Sequence, residues 1–373
     1  MEKLVENINQ ISKYDFDNHK VFGSNYFVYH NGRSVERCYG TISLNSDKPI
    51  TNSTIFRLAS MSKPITTVAT LILVEKGLVS LEDSIDKFLP QCKNIKIIDE
   101  FGNESIPKKL PTIKNILTHT SGIASCANKM VKMTQTDKET LDSSIAFHIK
   151  NGLDFEPNSM QAYSGTGAFD VLTKIIEIVS GEDYLDFLKK KIFKPCNMMD
   201  TTFILNDEQG QRFIDMHNKE KDQSLVYKMP ENCIFEDFPA THYLGGAGLV
   251  STLKDYCNFA KMLLNKGEAE GGKVLSEESV QLLSTPQVCE NIMPGNTRWG
   301  LGVRVIVNNE HPILPKGCFG WSGAYGSHFW IDPTNNLFAV YMKNSKYDGG
   351  AGNCSANNFE AAVYNSLRAK KDK

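Results

Sequence analysis

Ser60 and Lys63 are the two residues of this chain best placed to do chemistry together. A serine hydroxyl is a poor nucleophile until a neighbouring base takes its proton. A lysine amine can be that base when its surroundings disfavour the ammonium. The two stand in the run Phe56-Arg57-Leu58-Ala59-Ser60-Met61-Ser62-Lys63, just ahead of the apolar segment Pro64 to Lys76. Ile65, Val68, Leu71, Ile72 and Val74 fall mostly at helical spacing, Pro64 suits a first turn, and Gly77 suits the position past the end. Residues i and i+3 share a helix face, so hydroxyl and amine are expected to meet at the N-terminal turn of a buried helix. The partial positive charge of that helix end favours a neutral amine and a developing alkoxide. By itself, Ser-x-x-Lys describes a helix-capping serine and a solvated lysine equally well. Other parts of the sequence must separate nucleophile from cap.

The elements that would position this pair can be read along the chain. At 373 residues it can bury a large core, and 41% hydrophobic with 23% charged residues is ordinary for a globular protein. The net charge of −2 offers no field to attract nucleic acid or an anionic membrane. The start, Met1-Glu2-Lys3-Leu4-Val5-Glu6, carries no apolar leader and no run reaches bilayer length, so a cytoplasmic protein with no membrane partner is expected. Nine cysteines, scattered and never in Cys-x-x-Cys spacing, predict mostly buried thiols rather than a disulfide framework or zinc cluster.

An amphipathic helix is predicted over residues 1–13, then a hairpin of Asn25 to His30 and Arg33 to Tyr39 around Asn31-Gly32. From 60 to 295 the pattern is mainly helical, with helices expected at Leu81 to Phe88, Ser143 to Lys150, Ala168 to Val179, Tyr184 to Ile192 and Leu253 to Leu264. After 296 it turns β-like: Trp299 to Val307, Phe319 to Trp321, His328 to Ile331 and Leu337 to Met342, before a final helix at Phe359 to Lys370. The expected fold is therefore α+β. An antiparallel sheet of five or more strands, two N-terminal and three C-terminal, is flanked by the terminal helices. Residues 1–59 and 296–373 would form the sheet lobe and 60–295 an inserted helical lobe, with the site in the cleft between them.

Two further segments resemble the opening one in character: Tyr163-Ser164-Gly165, and Trp321-Ser322-Gly323-Ala324 just ahead of Phe329-Trp330-Ile331-Asp332-Pro333. With Leu117-Thr118-His119-Thr120-Ser121-Gly122 and Leu244-Gly245-Gly246-Ala247-Gly248-Leu249, these make the chain resemble the serine β-lactamase and penicillin-binding protein superfamily over about residues 20 to 365. The likeness is strongest to class C β-lactamases, D,D-peptidases and family VIII carboxylesterases. It implies that Ser60 attacks a carbonyl to form an acyl-enzyme, that Lys63 takes part in proton transfer, and that Tyr163 passes a proton near both. It also implies an oxyanion hole made by the main-chain N–H groups of Ser60 and Ala324, and a substrate cleft lined by Gly165, Trp321, Ser322 and Gly323. His119 would be structural.

Other chemistries fit less well. His242, His311 and His328 could feed a Ser-His-Asp arrangement, but Ser60, Ser164 and Ser322 lack the Gly-x-Ser-x-Gly setting. Gly245, Gly246 and Gly248 read as close-packing turns rather than a phosphate cradle. The absence of His-Glu-x-x-His argues against a catalytic metal, and no cofactor is expected.

Two departures bear on the substrate. Gly165 stands where the family's Tyr-x-Asn motif has an asparagine whose carboxamide holds the acyl side chain. Trp321 stands where a Lys or His would meet a substrate carboxylate, an ion pair that an indole cannot form. The sequence therefore points to a serine hydrolase acting on small esters or amides. A β-lactamase or D-amino-acid peptidase is the alternative, and a non-catalytic sensor with the same fold comes third. Loops such as 124–142 and 205–240 are expected to shape the acyl pocket.

Overall fold

The computed structural model describes residues 2–18, 21–44, 46–125, 140–219, 226–228 and 242–368. Its centre is a seven-stranded antiparallel sheet assembled from both ends of the chain. The strands are β1 (Gly23–His30), β2 (Arg33–Gly40), β5 (Thr297–Trp299), β6 (Arg304–Ile306), β7 (Phe319–Ser322), β8 (His328–Asp332) and β9 (Leu337–Lys343). Their spatial order is β5-β6-β7-β8-β9-β1-β2, so the N-terminal hairpin completes a sheet begun by the C-terminal strands. The hairpin has the expected two-residue turn, with His30 facing Arg33.

Alternation along the strands builds a layer on each face. Tyr26, Val28, Trp330, Ala339 and Tyr341 pack against Leu4 and Ile8 of α1 (Glu2–Asp17) and Phe359 and Val363 of α8 (Cys354–Arg368). Phe329, Ile331, Val340 and Met342 join the larger core with Tyr256, Phe259 and Leu263 of α7 (Leu253–Leu264). α2 (Ser62–Glu75) lies inside that larger core, buried without a break from Ser62 to Leu73. Around it stand α3 (Ile113–Leu117), α4 (Leu141–Asn151), α5 (Gly167–Ser180) and α6 (Tyr184–Leu188). A short pairing of β3 (Ile55–Arg57) with β4 (Val250–Thr252) carries the chain into α2.

Several expectations change in detail. The sheet takes five C-terminal strands rather than three, because the Trp299 to Val307 run is itself two strands and each of the three later runs adds one. Gly302 breaks the run with φ +67° and its amide donates to the Leu117 carbonyl at 2.8 Å. The Leu81 to Phe88 helix is only a 3-10 turn at Ile85–Lys87. The Tyr184 helix passes after Leu188 into a π turn, Lys189–Phe193. The last helix begins five residues early, at Cys354, because Asp348 and Asn353 cap its first amides. Residues 369–370, and most of the 124–142 and 205–240 loops, lie outside the described residues. The described cysteines are free thiols. Among the described residues no helix is long and apolar enough to cross a membrane.

Gly302 also presses the sheet margin onto α2: a Cβ there would sit 2.0 Å from Thr67 Oγ1. Gly302→Ala combines that clash with an unfavourable φ, so it should lower unfolding free energy by about 1–3 kcal/mol. Urea titration checks this, and an unchanged midpoint would refute the close packing.

Candidate active site

The Ser60 turn is held in an uncommon conformation. Residues Ala59–Met61 form a 3-10 turn that runs directly into α2, and Ala59 has φ +46°. A residue with a side chain holds such a conformation only where its surroundings over-determine it. Here the Leu58 amide donates to Leu249 O at 2.9 Å, and Ser62 Oγ accepts from the Leu249 amide at 3.2 Å. The 244–249 segment therefore clamps both flanks of the turn.

Lys63 is fully buried. Its Nζ lies 3.3 Å from Ser60 Oγ and donates to Gly165 O at 2.6 Å and Gly246 O at 2.8 Å. The faces of Tyr163 and Phe169 close over the same nitrogen, with centroids at 4.9 and 5.1 Å. An amine taken out of water needs such partners to offset its lost hydration. The expected i,i+3 meeting of hydroxyl and amine is therefore present in the structure. The two carbonyls are the part that sequence reading missed. The sequence marks Gly165 by its missing side chain and Gly246 as a packing residue; in the fold both contribute main-chain oxygens.

Tyr163 stands in a cluster of aromatic rings. Its ring centroid lies 4.4 Å from that of His119, 5.3 Å from Trp321 and 6.0 Å from Trp299. Its hydroxyl accepts a hydrogen bond from Trp321 Nε1 at 3.2 Å, while Lys63 meets the ring face. Trp299, absent from the sequence-level candidates, also touches His119 at 4.4 Å and Trp321 at 4.5 Å between centroids. Only its aromatic character and its place at the start of a β-like run could have flagged it.

His119 Nδ1 accepts from the Ser164 amide at 3.2 Å, which fixes the loop carrying Tyr163 and puts the neutral ring's proton on Nε2. Burial, and then the charge of Lys63, hold its pKa well below the usual 6.5.

β7 supplies the opposite wall. Gly323 passes so close to the Ser60 turn that a Cβ would lie 2.4 Å from Leu58 O and from Ser327 Oγ. This approach brings the exposed Ala324 to the end of the strand beside that turn. Among the described residues, the amides of Ser60 and Ala324 enter none of the turn, loop or cap hydrogen bonds. Trp321 is buried and walls the cleft. Ser322 is placed differently from expectation: it is buried, and its hydroxyl is bonded at 2.7 Å to His328 Nδ1, whose Nε2 bonds Glu360 Oε1 at 2.8 Å. Strand alternation turns it toward α8, away from the face where Trp321 meets Tyr163. Around Gly165 a Cβ would meet nothing within 4 Å, so the missing side chain leaves open space.

A Ser-x-x-Lys pair at the head of a buried helix, faced by a tyrosine loop and the margin of an antiparallel sheet, defines a class of protein. The Beta-lactamase family model matches residues 1–362, and the chain belongs to that family. Among curated relatives, acyltransferase mokF of Monascus pilosus is 28% identical over 313 residues, covering 79% of this chain and 74% of that protein. Esterase EstB of Burkholderia gladioli is 25% identical over 346 residues, covering 85% and 84%. The solved structure of EstCE1, described as a hydrolase with promiscuous acyltransferase activity, superposes with a TM-score of 0.81 at 22% identity, covering 97% of this chain and 99% of that one. The fold is shared at that distance.

The depressed pKa of His119 has a sign that can be checked. As pH falls through 6.5 the unfolded chain takes up a proton that the folded chain refuses. The contribution of His119 to stability is full above that pH and lost below it. Unfolding free energies of the wild type should therefore fall, relative to His119→Gln, between pH 7 and about 5.5. Parallel curves for the two proteins would show that the ring titrates freely.

Proposed function

We propose that this chain is a serine hydrolase that forms an acyl-enzyme at Ser60 on small ester or amide substrates. The observation that carries the reading is the position of Lys63 Nζ between Ser60 Oγ and two main-chain carbonyls. A neutral amine keeps two N–H bonds. Gly165 O and Gly246 O can take those two once Lys63 has given up a proton, which leaves the lone pair for the Ser60 hydroxyl that its nitrogen already contacts. Lys63 then takes the serine proton as Oγ attacks the substrate carbonyl. The oxyanion that forms accepts from the amides of Ser60 and Ala324, which act on charge present only in the transition state. On collapse the leaving alkoxide or amine receives a proton through Tyr163 and Lys63. Water then attacks the acyl-enzyme along the reverse proton route and frees the acid.

Trp321 and Gly165 favour esters over penicillins. An indole whose N–H is already bound to Tyr163 offers no cation for a β-lactam carboxylate, and Gly165 offers no carboxamide to the acyl side chain. Similarity to an esterase and an acyltransferase supports the same chemistry, with an alcohol able to replace water as acyl acceptor.

Intact-mass measurement after exposure to p-nitrophenyl esters of several lengths and to a fluorescent penicillin should show ester-derived acyl groups, lost in Ser60→Ala. Efficient nitrocefin turnover without esterase activity would overturn the ester assignment in favour of a β-lactamase. No labelling by any serine-directed probe would favour a sensor. Lys63→Ala and Tyr163→Phe should each slow acylation by about 10²–10⁴-fold; a wild-type rate in either removes that residue from its role.

A further inference from the structure

Behind Trp321, on the sheet face covered by α8, lies a cavity of about 50 Å³. Arg304 of β6, His311, the Ser322–His328–Glu360 chain and Trp321 line it. Its volume suits about three waters or one small organic anion.

Arg304 is the unusual member. Its side chain is half-buried, yet among the described residues its guanidinium makes no hydrogen bond and joins no ion pair. Its one close partner is the face of Trp321, 5.6 Å from Cζ to the ring centroid. Glu360, the nearest acid to line the cavity, is committed to His328 and stays beyond ion-pair reach. Burial lowers the Arg304 pKa from its usual 12.5 despite the opposing pull of Glu360, which registers the cost of enclosing this charge without a partner.

A second donor faces the same space. His311 Nδ1 accepts from the Ile313 and Leu314 amides at 3.3 and 3.0 Å, so the neutral ring carries its proton on Nε2. The α8 terminus contributes no donor of its own. The Cys354 and Ser355 amides are bound to Asp348, and that of Ala356 to Asn353.

We propose that this cavity is a subsite for a carboxylate, gripped by the Arg304 fork with the His311 Nε2–H as a second donor. A planar guanidinium matches a carboxylate in bidentate fashion, and a half-buried, otherwise unpaired one gains most from it. The carboxylate belongs either to the acyl group of the substrate or to a separate small acid. Trp321 touches both regions, through Nε1 to Tyr163 and through its ring to Arg304, so it is the physical link between subsite and cleft. Binding of the carboxylate is independent of the acyl-enzyme reading; only its use in turnover rests on that reading.

Tryptophan fluorescence reports directly, since Trp321 and Trp330 both line the cavity. At constant ionic strength, sodium propionate should give a saturable change in the wild type and propionamide none. Arg304→Gln should weaken propionate binding by about tenfold or more, and Arg304→Lys, which keeps the charge but not the fork, by less. A second arm compares kcat/KM for p-nitrophenyl hemisuccinate and p-nitrophenyl butyrate. A selective loss of about tenfold on the hemisuccinate in Arg304→Gln assigns the carboxylate to the substrate. An unchanged ratio, with propionate bound by the wild type and weakened in Arg304→Gln, assigns it to a free acid. No saturable response to propionate up to about 0.1 M, or equal binding in folded Arg304→Gln, overturns the proposal and leaves water as the occupant. If neither ester is turned over, the acyl-enzyme reading fails while the propionate titration still decides the subsite.

Discussion

The buried nitrogen of Lys63 is the interaction on which the rest of this site depends. A lysine with no exposed surface survives inside a helix-packed core only if its polar head finds partners there. Three separate stretches supply them: the turn at Ser60, the loop after Tyr163 and the segment at Gly246. None is close to another in sequence, so the nitrogen acts as a tie point that fixes their relative positions. Moving any one leaves an N–H or a carbonyl without a partner in a place water does not reach, at a cost comparable to much of a domain's net stability.

Around that point the structure spends its tolerance for close approach. Ala59 takes a left-handed backbone so that Ser60 can stand between β3 and α2. Gly323 lets β7 come against the Leu58 carbonyl, a contact that any side chain would block. The sheet can press so firmly because both its faces are packed, by α1 and α8 on one side and α7 on the other. The fold is thus the means by which a strand margin is held against a helix start. The aromatic rings of His119, Tyr163, Trp299 and Trp321 pack against one another on the floor between them.

Trp321 sets the character of the cleft wall on the sheet side. The indole binds Tyr163 with its N–H and turns its ring face toward Arg304. The cleft wall is therefore aromatic at this position, with the Arg304 guanidinium behind it on the neighbouring strand.

Much of this was legible in the residues alone. The periodicity after Pro64, Asn31-Gly32 between β-rich runs, and Gly181 after an apolar stripe are local patterns, and local backbone physics decides what they form. Leu253 to Leu264 was read to the residue for the same reason. Spacing alone also brought Ser60 and Lys63 onto one face. What the sequence could not specify were contacts whose donors and acceptors are main-chain atoms or whose partners lie far apart. Every residue carries a carbonyl, so nothing in the letters Gly165 and Gly246 marks theirs as the pair that holds Lys63. The side on which Ser322 falls depends on strand register, and register depends on β8 and α8. Residue type and short-range spacing thus determined the elements and the chemical groups. The tertiary packing decided which groups meet, because only the folded core removes water and obliges each buried polar atom to choose a partner.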